Sequence, residues 1–123
     1  MSTILLAEDD ESMRQFLTLA LEKAGHHVRP CEDGQVAFAS LQEDGDDVDL
    51  LLADIVMPGM DGIELSQKAT QLYPDLKVMF ITGFAAVAMG QQSATSALHA
   101  RVLSKPFHLN DLVKEVNDLL AQA

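Results

Sequence analysis

Five strand-like runs, three of them strongly apolar, alternate along the chain with stretches in which apolar residues recur every three to four positions. The first run, Thr3–Ala7, stops at Glu8-Asp9-Asp10. Behind it Met13, Phe16, Leu17, Ala20, Leu21 and Ala24 keep helical spacing up to Gly25, so the pattern predicts strand, acidic corner, helix. His27–Cys31 is a weaker strand with Pro30 inside it, and a residue that cannot donate to a ladder belongs at a sheet edge. Asp33 is the expected N-cap of a short helix through Val36, Ala37, Ser40 and Leu41. Residues 43–49 hold five acids in seven positions and read as a solvated loop with no functional role.

The third run, 48–53, is apolar apart from Asp49, as expected of a central parallel strand covered on both faces. A helix over Gly62–Leu72 presents Leu65, Ala69 and Leu72 on one face and ends at Tyr73-Pro74-Asp75. The fourth strand is Lys77–Thr82. Residues 84–99 are Ala-rich and carry no charge before His99, which predicts a weak or irregular helix. Val102-Leu103 forms a short fifth strand, Lys105-Pro106-Phe107 a turn, and Leu109, Leu112, Val113, Val116, Leu119 and Leu120 an amphipathic closing helix.

Such alternation predicts an α/β domain, a parallel sheet with helices on both faces. Every loop that follows a strand then lies on one edge of the sheet, and that edge collects Glu8, Asp9, Asp54, Thr82 and Lys105. Taken alone, Asp54 reads equally as a reactive carboxylate or as a cap in the Met57-Pro58-Gly59-Met60-Asp61-Gly62 loop; the other four residues favour chemistry.

Length and charge narrow the function. A chain of 123 residues fits one domain, with nothing expected after the last helix. A net charge of −11 with only eight Lys and Arg argues against DNA as a direct partner. The single cysteine, Cys31, rules out an internal disulfide, reads as a small strand residue, and makes a reducing cytoplasm the simplest location. There is no signal-peptide pattern, and the longest uncharged stretch, 78–98, is too broken by Gly, Gln, Ser and Thr to span a membrane.

Carboxylates brought together repel, and a hard divalent cation relieves the repulsion; an oxygen donor set favours Mg2+. His26, His27, His99 and His108 read as surface or packing residues. Mg2+ beside a carboxylate suits phosphoryl transfer with that carboxylate as nucleophile, and a lysine and a hydroxyl suit the remaining phosphoryl oxygens.

With those residues in place the chain resembles a response-regulator receiver domain over its full length. Glu8-Asp9, Asp54 with its Met57-to-Gly62 loop, Thr82, and Lys105-Pro106-Phe107 carry the likeness. The resemblance implies a flavodoxin-like (βα)5 doubly wound sheet of order 2-1-3-4-5. It also implies Asp54 as phosphoacceptor, with Thr82 and Lys105 completing the site. Asp9, Glu8, Asp54 and the Val56 carbonyl would hold Mg2+, and a cis bond would precede Pro106. It further implies a phosphoacceptor with at most slow self-dephosphorylation rather than an enzyme, served by a histidine kinase or histidine phosphotransferase. One departure matters: many receivers have an aromatic switch residue three positions before the lysine, where this chain has Val102, leaving Phe84 or the loop after Thr82 as substitutes.

Residues 79–88 and 102–109 further resemble the stand-alone CpdR-type regulators. That likeness implies an adaptor that helps deliver substrates to the ClpXP protease when unphosphorylated; the alternative is a CheY-like or phosphorelay-intermediate receiver acting on another protein. The uncharged surface of the 84–99 segment reads either as internal packing, the commoner case for such a face, or as the contact region for the partner, and a monomer is expected. A haloacid-dehalogenase-type phosphatase would need a second aspartate at Val56, and a flavodoxin would not place Glu8-Asp9-Asp10 where a flavin phosphate sits.

Overall fold

The computed structural model describes residues 2–82, 101–105 and 107–122, and of Thr82 and Ser104 the main chain only. The helix expected over 84–99, its uncharged surface, Phe84, and the peptide bond before Pro106 lie outside the described residues.

Five parallel strands form one sheet in the order β2-β1-β3-β4-β5. They are β1 (Thr3–Ala7), β2 (His27–Cys31), β3 (Leu50–Asp54), β4 (Lys77–Thr82) and β5 (Arg101–Ser104). Pro30 sits in the edge strand β2, opposite Leu6, where a missing N–H leaves no interior ladder broken. The described helices are α1 (Glu11–Lys23), α2 (Gly34–Asp44), α3 (Gly62–Leu72) and α4 (Leu109–Ala121).

The apolar runs are uninterrupted because the sheet is covered on both sides. Leu5, Leu51, Ala53 and Phe80 pack with Ala37 and Leu41 of α2 and Leu65 and Ala69 of α3. Alternate residues Ile4, Leu6, Leu50, Leu52 and Met79 pack with Leu17 and Leu21 of α1 and Leu112 and Val116 of α4. The β3–β4 register pairs Asp54 with Ile81, and the β4–β5 register pairs Thr82 with Ser104, so the carboxyl ends of the strands share one edge.

Two expectations are corrected, and the buried stripes are narrower than the spacing alone suggests: Phe16 is 52% exposed and Leu72 45%, because the stripes that meet the sheet centre on Leu17 and Leu21 in α1 and on Ile63, Leu65, Ser66 and Ala69 in α3. Strand β3 begins at Leu50 and includes Asp54, rather than covering 48–53. Residues 43–49 are not a plain loop, although all five of their acids are exposed: α2 runs through Asp44 and a 3-10 turn covers Gly45–Asp47. Asp49 Oδ2 accepts the Thr3 N–H at 2.8 Å, Arg29 donates to the Asp44 carbonyl at 3.0 Å, and Arg29 lies 3.8 Å from Asp47.

Candidate functional site

The acidic corner after β1 divides three consecutive acids among three positions. Glu8 is fully buried, Asp9 is exposed, and Asp10 caps α1, its Oδ1 accepting the Met13 N–H at 3.0 Å. Capping therefore accounts for Asp10. It does not account for Glu8 and Asp9, whose carboxylate oxygens lie with that of Asp54 within 4.8 Å of one another.

Asp54 is 6% exposed, and its Oδ1 accepts the Val56 N–H at 3.3 Å. The loop beyond it folds back tightly. Gly62 donates its N–H to the Ile55 carbonyl at 2.9 Å, and a Cβ at Gly62 would stand 2.2 Å from the Asp54 carbonyl oxygen, so only glycine fits. Asp61 caps α3 through the Glu64 N–H, at 2.8 Å. Gly34, at the start of α2, makes a similar close approach: a Cβ there would stand 2.4 Å from the Met60 carbonyl oxygen.

Lys105 enters from the end of β5. Its Nζ donates to Asp54 Oδ2 at 3.0 Å and lies 3.6 Å from Glu8 Oε2. Burial alone would lower the lysine pKa, but the hydrogen bond and charge of Asp54, helped by Glu8, outweigh it and raise the value. Burial pushes the Glu8 carboxyl up to about 7, with the Asp54 charge adding to the rise and Lys105 opposing it. Glu8 Oε1 accepts the Asp10 N–H at 3.2 Å, whereas Glu8 Oε2 is buried with no hydrogen-bond partner. A buried carboxylate oxygen without a donor, beside two further carboxylates, is a donor set that a hard divalent cation satisfies.

Of the five sequence-predicted residues, Glu8, Asp9, Asp54 and Lys105 converge, and Thr82 ends β4 on the same edge. Val56, expected to offer its carbonyl, lies two residues beyond Asp54 and is half exposed. Val102, in the place of an aromatic, sits on β5 opposite Phe80 and is 42% exposed. Gly34 and Arg14, which donates to the Glu8 carbonyl, were not legible: contacts with main-chain oxygens leave no spacing pattern.

Residues 4–117 match the response regulator receiver domain. The chain belongs to the response regulator receiver family. It is 58% identical over 123 residues to the response regulator receiver protein CpdR of Brucella abortus, covering the whole of both chains. It is 34% identical to the sensor kinase CckA of the same organism over 97% of this chain but only 12% of the kinase. Among solved structures, Vibrio cholerae chemotaxis protein CheY4 superposes with a TM-score of 0.84 at 26% identity, covering 97% of this chain and 98% of that one. The receiver domain of the hybrid histidine kinase CckA gives 0.80 at 29% identity, with 97% and 99% covered. The flavodoxin-like receiver fold of order 2-1-3-4-5 is thus what the chain adopts. Among the described residues no helix is long and apolar enough to cross a membrane.

Proposed function

We propose that this receiver is a stand-alone response regulator of the cytoplasm that accepts a phosphoryl group on Asp54 from a histidine kinase or histidine phosphotransferase. The observation that carries the reading is the ammonium of Lys105, placed 3.0 Å from a buried carboxylate that lies beside two further acids. An Asp54 carboxylate oxygen attacks the phosphorus of a phosphohistidine; the imidazole leaves, and an acyl phosphate remains. Glu8, Asp9, Asp54 and the Val56 carbonyl would hold Mg2+, which when bound neutralises phosphoryl oxygens. Lys105 then turns from Asp54 to a phosphoryl oxygen, and the Thr82 hydroxyl takes another. In this reading the chain is a phosphoacceptor with at most slow self-dephosphorylation rather than an enzyme.

The output is a protein contact that differs between the two phosphorylation states. Likeness to CpdR along the full chain supports an adaptor role toward ClpXP, active when Asp54 is unmodified and withdrawn on phosphorylation. The test is intact-mass measurement after incubation with Mg2+ and acetyl phosphate, followed by capture of ClpX. The wild type gains one phosphoryl group and loses ClpX; Asp54→Ala gains none and keeps it. A phosphoryl adduct that persists in Asp54→Ala would sink the phosphoacceptor assignment, and ClpX capture indifferent to phosphorylation would sink the adaptor role.

A further inference from the structure

Glu8 lies one residue beyond β1, past the last β1–β3 pair, Ala7 with Ala53. Its N–H still reaches the carbonyl of Cys31 at 3.1 Å, continuing the pairing with β2. Its own carbonyl has no strand opposite it. That oxygen is taken instead by Arg14 Nη1, which donates to it at 2.8 Å from the first turns of α1. The same arginine is fixed at its base, its N–H donating to the Asp10 carbonyl at 2.8 Å and its carbonyl accepting the Thr18 hydroxyl at 2.7 Å. The Glu8 peptide units are therefore held from two sides, by β2 through the nitrogen and by α1 through the oxygen.

We propose that Arg14 is a positioning residue for the divalent-cation site, holding the Glu8 main chain so that its side chain and that of Asp9 turn toward Asp54. This deepens the function proposed above and rests on it. Three features fit the residue to the task. A guanidinium stays protonated at every working pH, so the restraint does not switch off. Its length lets it reach back six residues from a half-buried position on α1. It also brings positive charge behind a corner with three consecutive acids, Glu8, Asp9 and Asp10. Loss of groups that orient metal ligands without touching the metal weakens binding by roughly ten- to a hundredfold.

The test compares the full chain with Arg14→Met and Arg14→Lys. Calorimetric titration with Mg2+ should give a Kd about tenfold higher in Arg14→Met. Arg14→Lys should recover part of the loss, since an ammonium can still donate to one carbonyl. Without Mg2+, the amide resonances of Glu8, Asp9 and Asp10 should move in Arg14→Met while those of β3 and β4 stay in place. At saturating Mg2+, acetyl phosphate should phosphorylate Arg14→Met at nearly the wild-type rate, placing the defect in cation binding. A Kd within twofold of wild type in Arg14→Met, or in Arg14→Ala should the methionine variant not fold, would overturn this inference alone. A wild-type chain that binds no Mg2+ overturns the proposed function and this inference with it.

Discussion

Lys105 Nζ lies 3.0 Å from Asp54 Oδ2 and 3.6 Å from Glu8 Oε2, so one cation joins a carboxylate at the end of β3 to one just past the end of β1. In the Mg2+-free protein it is the countercharge for both. Lys105→Met should therefore lower stability in EDTA by about 1–3 kcal/mol, less than for a fully buried pair because the ammonium keeps some contact with solvent. Urea unfolding reads the loss directly. Added Mg2+ should restore more stability to the variant than to the wild type, and phosphorylation by acetyl phosphate should slow roughly a hundredfold.

Stability without Mg2+ should fall as pH rises through neutrality. The Glu8 carboxyl is pushed up to about 7 from its ordinary 4.5, so the folded state favours the protonated form. Its contribution is complete below pH 4.5 and is lost as pH climbs through 7, amounting to about 3 kcal/mol at 1.36 kcal/mol per pH unit. The difference between wild type and Glu8→Gln in EDTA, measured by urea unfolding from pH 5 to 8, should trace that loss. A flat difference would contradict it.

Mg2+ should raise the melting temperature of the wild type in a concentration-dependent way, as any ligand of the native state does. Asp9 is exposed, so Asp9→Asn should change stability in EDTA by less than about 0.5 kcal/mol while removing most of the Mg2+-induced rise. Calorimetry with and without the cation separates the two effects. An equal Mg2+ response in both proteins would remove Asp9 from the ligand set.

Two glycine substitutions should differ in kind. A Cβ at Gly62 meets the Asp54 carbonyl oxygen at 2.2 Å, backbone against side chain, and neither can give way locally. Gly62→Ala should cost about 1–3 kcal/mol and also impair phosphorylation, because it displaces the strand end that carries Asp54. Gly25 has a φ of 98° and open space around it. Gly25→Ala should cost about 1–2 kcal/mol from backbone strain alone and leave the phosphorylation rate unchanged.

The central strands were legible because residues buried on both faces of a parallel sheet are apolar at nearly every position, and the short length of these runs and the polar or Gly/Pro residues that bound them distinguish them from buried helices. Once five strand-like runs alternate with helices, the topology places Glu8, Asp9, Asp54, Thr82 and Lys105 on one edge whatever the details of packing. Helical spacing names a stripe but not its width, and Phe16 and Leu72 lie at its exposed margin. The acids at 47 and 49 looked like a charge run, since nothing local reveals that Arg29 and the Thr3 N–H would come to meet their carboxylates. Arg14 was invisible for a related reason: its partner is a main-chain carbonyl, and main-chain oxygens have no letter in the sequence.

The corner after β1 gives three neighbouring acids three separate duties, one buried, one open and one capping a helix. Their order is therefore information, although all three side chains end in the same carboxyl group. Inserting or deleting one residue between Ala7 and Glu11 would leave the acid count nearly intact and yet hand each carboxylate its neighbour's place. Length at this corner should accordingly be under stricter constraint than composition, and a turn that looks like a simple acidic patch behaves as a reading frame.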